Sequence, residues 1–382
     1  MPVEKCRLCR EILPSEPVLV FKDMPAIAQK LPDSKSLRKD KSVDINVFEC
    51  IGCGTIQIKG KPVKYYREVI RAADISDEMR SFRLKQFRAF VSRNSLKGRK
   101  VLEIGCGRGE YLKIMKCAGV KAFGLEYSKD SVNYCMKKEG LDVEQGFPVF
   151  PGRKLKHGPF DAIFIMNFLE HLPGINDVLK VIRYNLAENG IVLIEVPNFD
   201  MILRKKLYAE FTAEHLLYFT KRTLYLVLEL NGFKIIDCKN IWHNYIISLT
   251  AKKRAAINIK ELIEQKKKVN KSLKKFILGS GYQNIAVWGA GHQSLTMLSL
   301  SGISDKIKYV VDSASFKQGK NTPATHIPIV APDKLNSDPV DAVLIMAASY
   351  SDEVATIIKE KYKNIKKVGI LRSYGVETLK HS

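Results

Sequence analysis

Three groups of side chains in this 382-residue chain have the types and spacing to do chemistry. The first is sulfur. Cys6-Arg7-Leu8-Cys9 and Cys50-Ile51-Gly52-Cys53 are two C-x-x-C knuckles. Two thiolates at that spacing grip one metal ion from a tight turn, and two such turns close a tetrahedral site. The expected occupant is zinc, held by Cys6, Cys9, Cys50 and Cys53; a redox pair and an iron–sulfur cluster are the other uses of the pattern. With no fifth ligand in the pattern, the site is expected to be closed and structural. The second group is a strand-like run that breaks into glycine, Glu103-Ile104-Gly105-Cys106-Gly107-Arg108-Gly109. Glycine lets the backbone turn tightly and a ligand approach with no Cβ in the way. The helix that should follow offers free N–H groups to an anionic group. The third group is a pair of polar clusters, Asn167-Phe168-Leu169-Glu170-His171 and Glu214-His215. Histidine is the usual proton carrier near neutral pH, although a satisfied loop histidine reads the same way in sequence.

The glycine spacing separates cofactors. A dinucleotide fingerprint wants G-x-G-x-x-G, and its third glycine would fall on Glu110. The pattern present, E-x-G-x-G-x-G, resembles motif I of the class I S-adenosylmethionine (SAM) methyltransferases. That resemblance puts Glu103 near the cationic methionine end and the glycine loop beneath the ligand. A strand-end acid about 20 residues further on takes ribose hydroxyls in such sites, and Glu126 stands there. Phe147 follows the third strand, where many members of that family carry an acid near the adenine; Phe147 suggests stacking instead. The expected cofactor contacts are therefore Glu103, Gly105, Cys106, Gly107, Gly109, Glu126, Tyr127 and Phe147.

These residues need a sheet to hold them. Residues 101–104, 160–167 and 190–197 read as buried parallel strands alternating with helices, and 233–237 with 245–249 as an antiparallel pair. Both polar clusters then fall at the carboxyl ends of strands, where ligands of open α/β sheets sit. Residues 64–95 are helical in pattern, with a capped start at Ser76, and are expected to lid the cofactor or simply to pack beside it. A lysine-rich helix over 255–278 reads as a linker. Beyond it, residues 284–291 repeat the strand-into-glycine pattern, and Asp312 ends the next strand. The expected fold is α/β: a SAM-methyltransferase-type Rossmann-like sheet (64–254), an N-terminal zinc module (1–63) and a smaller C-terminal Rossmann-like domain (279–382).

Composition narrows the class. Hydrophobic content of 46% supplies real cores, mean hydropathy is −0.12, and no apolar run reaches the roughly 18 residues of a membrane span. The first residues lack the build of a signal peptide, so the cytoplasm is expected and a membrane partner is not. Net charge of +23 fits nucleic acid, membrane surfaces or phosphorylated substrates. Much of it is local to the lysine-rich helix, and no N-P-P-Y-type motif follows the fourth strand, so nucleic acid is not the expected partner. Oligomeric state is left open.

The three parts in this order resemble the sugar C-methyltransferases that act on nucleotide-linked 4-keto-6-deoxyhexoses. Residues 317–329 are close to that family's C-terminal signature, and the cysteine knuckles match its zinc module. The resemblance implies that His215 is the base that opens a carbon nucleophile, supported by Glu214, with Asn167 and His171 lining the sugar. It implies a nucleotide-sugar partner, with Lys317, Gly319 and His326 as its contacts in the third domain. Thr212 stands where the family usually has tyrosine, and Arg71 where it has an aromatic residue. In the third domain, Ser294 replaces the last fingerprint glycine, so part of the sugar nucleotide rather than NAD is expected there. O- or N-methylation of a glycan precursor, and RNA methylation, are the alternative activities.

Overall fold

Strands β1 (Leu19–Pro25), β2 (Ser42–Glu49) and β3 (Ile56–Ile58) form an antiparallel meander beside the cysteine knuckles. The computed structural model describes residues 4–27, 31–68, 75–279 and 281–379, so Arg71 lies outside the described residues. Side chains alternate across a strand, and β2 accordingly buries Ile45 and Val47 while Asp44 and Asn46 face out.

Helix α1 (Asp77–Arg93) starts at Ser76, whose hydroxyl accepts from the Met79 N–H. It buries Phe87, Phe90 and Val91. Arg83 shares that face, fully buried, and pairs with Glu195. Then follow β4 (Lys100–Ile104), α2 (Glu110–Cys117), β5 (Lys121–Glu126), α3 (Lys129–Lys138), β6 (Asp142–Gln145) and β7 (Phe160–Met166). The chain continues through α4 (Ile175–Asn185), β8 (Leu186–Pro197), α5 (Phe199–Lys205), β9 (Leu217–Tyr218), α6 (Lys221–Leu230), β10 (Phe233–Ile241) and β11 (Ile246–Lys253). The main sheet runs β10-β11-β8-β7-β4-β5-β6. Strands β4 to β8 are parallel, and β10 and β11 close one edge antiparallel. Ile163, Phe164 and Ile165 are all buried, as in a strand covered on both faces.

The two-residue β9 does not join this sheet. It pairs antiparallel with β3, setting Tyr218 opposite Ile56 and Leu217 opposite Gln57. The knuckle is stitched down as well: the Asn176 amide at the start of α4 donates to the carbonyls of Arg7 (3.2 Å) and Leu8 (2.9 Å). The segments expected as separate domains, 1–63 and 64–254, thus share a sheet, and Met1–Ala255 forms one compact unit.

The second unit, Ala256–Ser382, opens with α7 (Lys260–Leu278). The elements after it are β12 (Ile285–Trp288), α8 (His292–Ser301), β13 (Ile307–Val311), β14 (Ile329–Val330), α9 (Lys334–Ser337), β15 (Ala342–Ile345), α10 (Ser351–Lys361), β16 (Lys367–Arg372) and β17 (Gly375–Leu379). Its sheet runs β14-β13-β12-β15-β16-β17, parallel except for β17. The helix expected as a linker is a working part of this unit. Leu273, Phe276 and Ile277 enter its core, and Ser272 accepts a hydrogen bond from the Val376 N–H at 2.8 Å. Among the described residues no helix is long and apolar enough to cross a membrane.

Candidate active site

The four knuckle sulfurs converge. Cys6 and Cys53 Sγ lie 3.6 Å apart, Cys9 and Cys50 Sγ 3.5 Å, and all four sulfurs fall within 4.8 Å of one another. Zinc–sulfur bonds near 2.3 Å in a tetrahedron require sulfur separations of about 3.8 Å. The thiols are unlinked by disulfides. Four sulfurs in this arrangement fit a closed four-coordinate ion.

At the end of β4 the chain turns through Gly105, Gly107 and Gly109, all at positive φ (70°, 55° and 85°). A Cβ on Gly109 would stand 2.5 Å from Leu141 Cδ1, a side-chain end that can shift, so it is the dihedral that favours glycine there. Glu126 ends the adjacent β5, and its two carboxylate oxygens accept from the N–H groups of Gly107 (2.9 Å) and Ser128 (2.8 Å). Burial pushes its carboxyl up to about 7, against the pull of those donors. Glu103 lies in β4, fully buried. Cys106 differs from expectation in detail. Its thiol turns inward over Gly124, where a Cβ would lie 2.7 Å from the sulfur. Only the backbone of Cys106 is thus available to a ligand.

Aromatic rings wall the far side of Glu126. Phe147, buried, meets the edges of Tyr127 (centroids 6.2 Å apart), Tyr66 (5.8 Å) and Phe168 (6.3 Å). The ring row continues from Phe168 through His171 to His215.

The two polar clusters meet where this row ends. Asn167 leaves β7 at φ 47°, its N–H donating to the Glu195 carbonyl (2.8 Å), and its buried Oδ1 has no hydrogen-bond partner among the described residues. His171 Nδ1 lies 3.0 Å from the Glu214 carbonyl, so Nδ1 carries the proton and Nε2, 4.0 Å from Glu170 Oε1, is the basic nitrogen. The His171 and His215 rings stand edge to face at 4.7 Å. Burial, with His171 alongside, lowers His215 to about 3, and burial lowers His171 too. Glu170, completely buried beside them, is raised to about 8 by desolvation. The Tyr65 hydroxyl donates to the Glu214 carboxylate. Sequence reasoning missed Tyr65, which reaches the site from the turn between β3 and α1; only its aromatic type in the lid segment hinted at it. Thr212, in the family's tyrosine position, accepts from the Glu214 N–H through Oγ1 (3.4 Å).

The residues expected to touch substrate in the second unit lie on the connection from β13 to β14. Lys317 Nζ is engaged by Asp312 Oδ2 at 2.9 Å, so a substrate would have to share that pair. Gly319 turns at φ 75° and donates to the Ile329 carbonyl, and His326 donates its N–H to the Thr322 carbonyl. Ser294 is fully buried in the first turn of α8.

A methyltransferase-domain family model matches residues 78–237, and a C-methyltransferase C-terminal-domain model matches residues 256–369. The C-methyltransferase NovU of Streptomyces niveus is 22% identical over 398 aligned residues, 95% of this chain and 94% of its own. A ubiquinone biosynthesis O-methyltransferase of Pelagibacter ubique (strain HTCC1062) is 30% identical over 35% of this chain and 56% of its own. Among solved structures, the PH0226 protein from Pyrococcus horikoshii OT3 covers 50% of this chain and 99% of its own at 17% identity, with a TM-score of 0.41. With a glycine cradle, a strand-end acid and both domain matches in hand, the chain is an S-adenosylmethionine-dependent methyltransferase that carries a C-methyltransferase C-terminal domain.

Proposed function

We propose that the chain methylates a carbon beside the ketone of a nucleotide-linked deoxysugar, with His215 as the base. The observation that carries this reading is the partly buried pair of neutral imidazoles, His171 and His215, set 4.7 Å apart. Full-length similarity to a protein named C-methyltransferase supports methylation at carbon, and the stretch 317–329, which resembles the sugar C-methyltransferases, supports the substrate class.

When bound, the cofactor supplies an electrophilic methyl group. The protein must therefore supply a nucleophile, and a carbon beside a ketone becomes one only by losing its proton. His215 takes that proton as an unprotonated imidazole. At a pKa of about 3 it is always ready to accept but only weakly basic. The imidazolium must be stabilised as it forms, and the substrate enolate is the negative charge beside it; the Glu214 carboxylate acts on His171, whose basicity it raises against burial. Asn167 and His171 position the sugar and its oxygen. Tyr65 holds the Glu214 carboxylate in place.

Proton removal and methyl transfer are separable. With S-adenosylhomocysteine bound, no methyl can move, yet wild type should exchange the sugar proton beside the ketone with D₂O, as followed by NMR of a 4-keto-6-deoxy sugar nucleotide. His215→Gln should lose that exchange by ~10²-fold or more while still binding the cofactor. Exchange surviving in His215→Gln moves the base to His171. Methyl transfer to a hydroxyl or amine, without any exchange, replaces the enolate with O- or N-methylation.

The knuckle is read as a structural zinc site. Purified protein should contain about one zinc per chain, and Cys50→Ser should lose it together with thermal stability. Iron with visible absorbance would exclude this assignment.

A further inference from the structure

Arg67 sits in the turn that links β3 to α1, two residues after Tyr65. Its guanidinium carbon lies 5.3 Å from the ring centroid of Tyr66, 5.5 Å from Tyr127 and 5.5 Å from Phe147. Its Nε donates to the Tyr66 hydroxyl at 3.0 Å. Three rings around one partly exposed cation are more than a surface contact, and two of those rings have a fixed relation to the cofactor cradle. Tyr127 is the residue after Glu126, the acid at the end of β5. Phe147 follows the end of β6, the next strand outward.

In an open α/β sheet the nucleoside lies across the carboxyl ends of the strands. With the sugar at Glu126, the base extends from β5 toward β6. There it meets the face of one and the edge of the other of the perpendicular Phe147 and Tyr127 rings, and the group in contact with the same two rings, alongside it, is Arg67. Adenine is planar, rich in π electrons and edged with ring-nitrogen acceptors. A guanidinium is planar, cationic and edged with donors, so the two stack and hydrogen-bond well. Tyr66 fixes the guanidinium plane from behind. We infer that Arg67 is an adenine-binding residue: from outside the methyltransferase sheet it borders the adenosine end of the cofactor, beside the Phe147 and Tyr127 rings it touches. The inference uses the cofactor and is independent of the acceptor sugar.

One turn then serves both ends of the reaction. Tyr65 reaches the Glu214 carboxylate, and Arg67 reaches the adenosine wall. The segment delivering them is anchored on the zinc-module side by β3 and on the other side by α1.

The test is titration calorimetry of the full chain with two probes, S-adenosylhomocysteine and adenosine, on wild type, Arg67→Ala, Arg67→Lys and Glu126→Ala. Arg67→Ala should raise the Kd of both probes by the same factor, about 3- to 30-fold for a desolvated cation over an aromatic base, with zinc content and melting temperature unchanged. Arg67→Lys keeps the charge without the plane and should recover less than half of that loss on a logarithmic scale. Wild-type affinity for both probes in Arg67→Ala overturns the assignment, as does weakening of S-adenosylhomocysteine alone, which would place Arg67 at the amino-acid end. Full recovery in Arg67→Lys would reduce the role to long-range charge and also overturn it. Glu126→Ala tells these failures apart from failure of the cradle itself: if Glu126→Ala binds both probes normally, the nucleoside lies elsewhere.

Discussion

Glu126 and Asp312 hold the same position in two sheets of one chain. Glu126 ends β5 and Asp312 directly follows β13, each strand coming after a glycine turn, and each acid accepts a backbone N–H from that turn: Glu126 from Gly107, 19 residues before it, and Asp312 from Ala290, 22 residues before it. Each also accepts from the N–H two residues ahead, Ser128 and Ala314. The third partner separates them. Asp312 has Lys317 at 2.9 Å, and although burial pushes its carboxyl up, Lys317 and the two backbone donors bring the net shift below the usual range. Among the described residues no basic side chain pairs with Glu126, and burial leaves its carboxyl raised to about 7. One acid is satisfied by its own chain. The other keeps its two backbone donors with no cation from the described residues beside it, which suits a carboxylate that is to take ligand hydroxyls as well. On the proposed reading, the same strand–turn–helix geometry serves as a binding site in one unit and as a structural joint in the other.

The largest test of that contrast is removal of the two carboxylates. Glu126→Ala should weaken S-adenosylhomocysteine by about 1–3 kcal/mol, the range for lost hydrogen bonds to a charged group, as measured by calorimetry. An intact affinity would erase the distinction between the two turns. A smaller effect comes from pH. Ribose hydroxyls need the carboxylate, so affinity should fall as pH drops through about 7, by about tenfold between pH 7.5 and 5.5. Glu126→Gln should flatten that profile. Stability runs the other way for the same group. Its folded pKa is raised, so its contribution is full below the unfolded value and is lost as pH rises through about 7. The smallest effect belongs to Asp312→Asn. It should cost about 1 kcal/mol of stability in the second unit, felt above the carboxyl's unfolded pKa and vanishing as pH falls through its lowered folded value. Cofactor affinity should not change at all. A nicotinamide dinucleotide binding to the wild type and lost in Asp312→Asn would break the comparison from the other side.

What the amino-acid sequence revealed divides along a similar line. The glycine turns, the strand-end acids and the cysteine knuckles are local patterns, and local patterns survive reading without a structure. Tyr65 and Arg67 are not. Tyr65 acts on a residue 149 positions later, from a turn with no periodicity to mark it. Strand β9 is two residues long, too short to show alternation, and its partner precedes it by some 160 positions. Arg83 falls on the apolar face of α1 and reads as an interruption. It is buried because Glu195, 112 residues away, meets it there, and breaking such a pair leaves an uncompensated charge. In α7 the lysines drew attention to the solvent side. The spacing of Leu273, Phe276 and Ile277 at i, i+3 and i+4 already gave the buried side, and that signal could have found the packing.

The pairing of β9 with β3 bears on how such enzymes can be recombined. The first 63 residues are no detachable appendage. Their inner strand braces the two residues that immediately follow Leu216, one step beyond the proposed base, and the turn leaving that strand carries Tyr65 and Arg67. A chimera that treats the glycine-loop sheet as a cassette and discards what precedes α1 would leave β9 without ladder partners and Glu214 without its tyrosine. Exchange of acceptor preference between relatives would then have to carry the cysteine knuckle, the turn after it and the Glu214–Tyr218 segment as one inherited block.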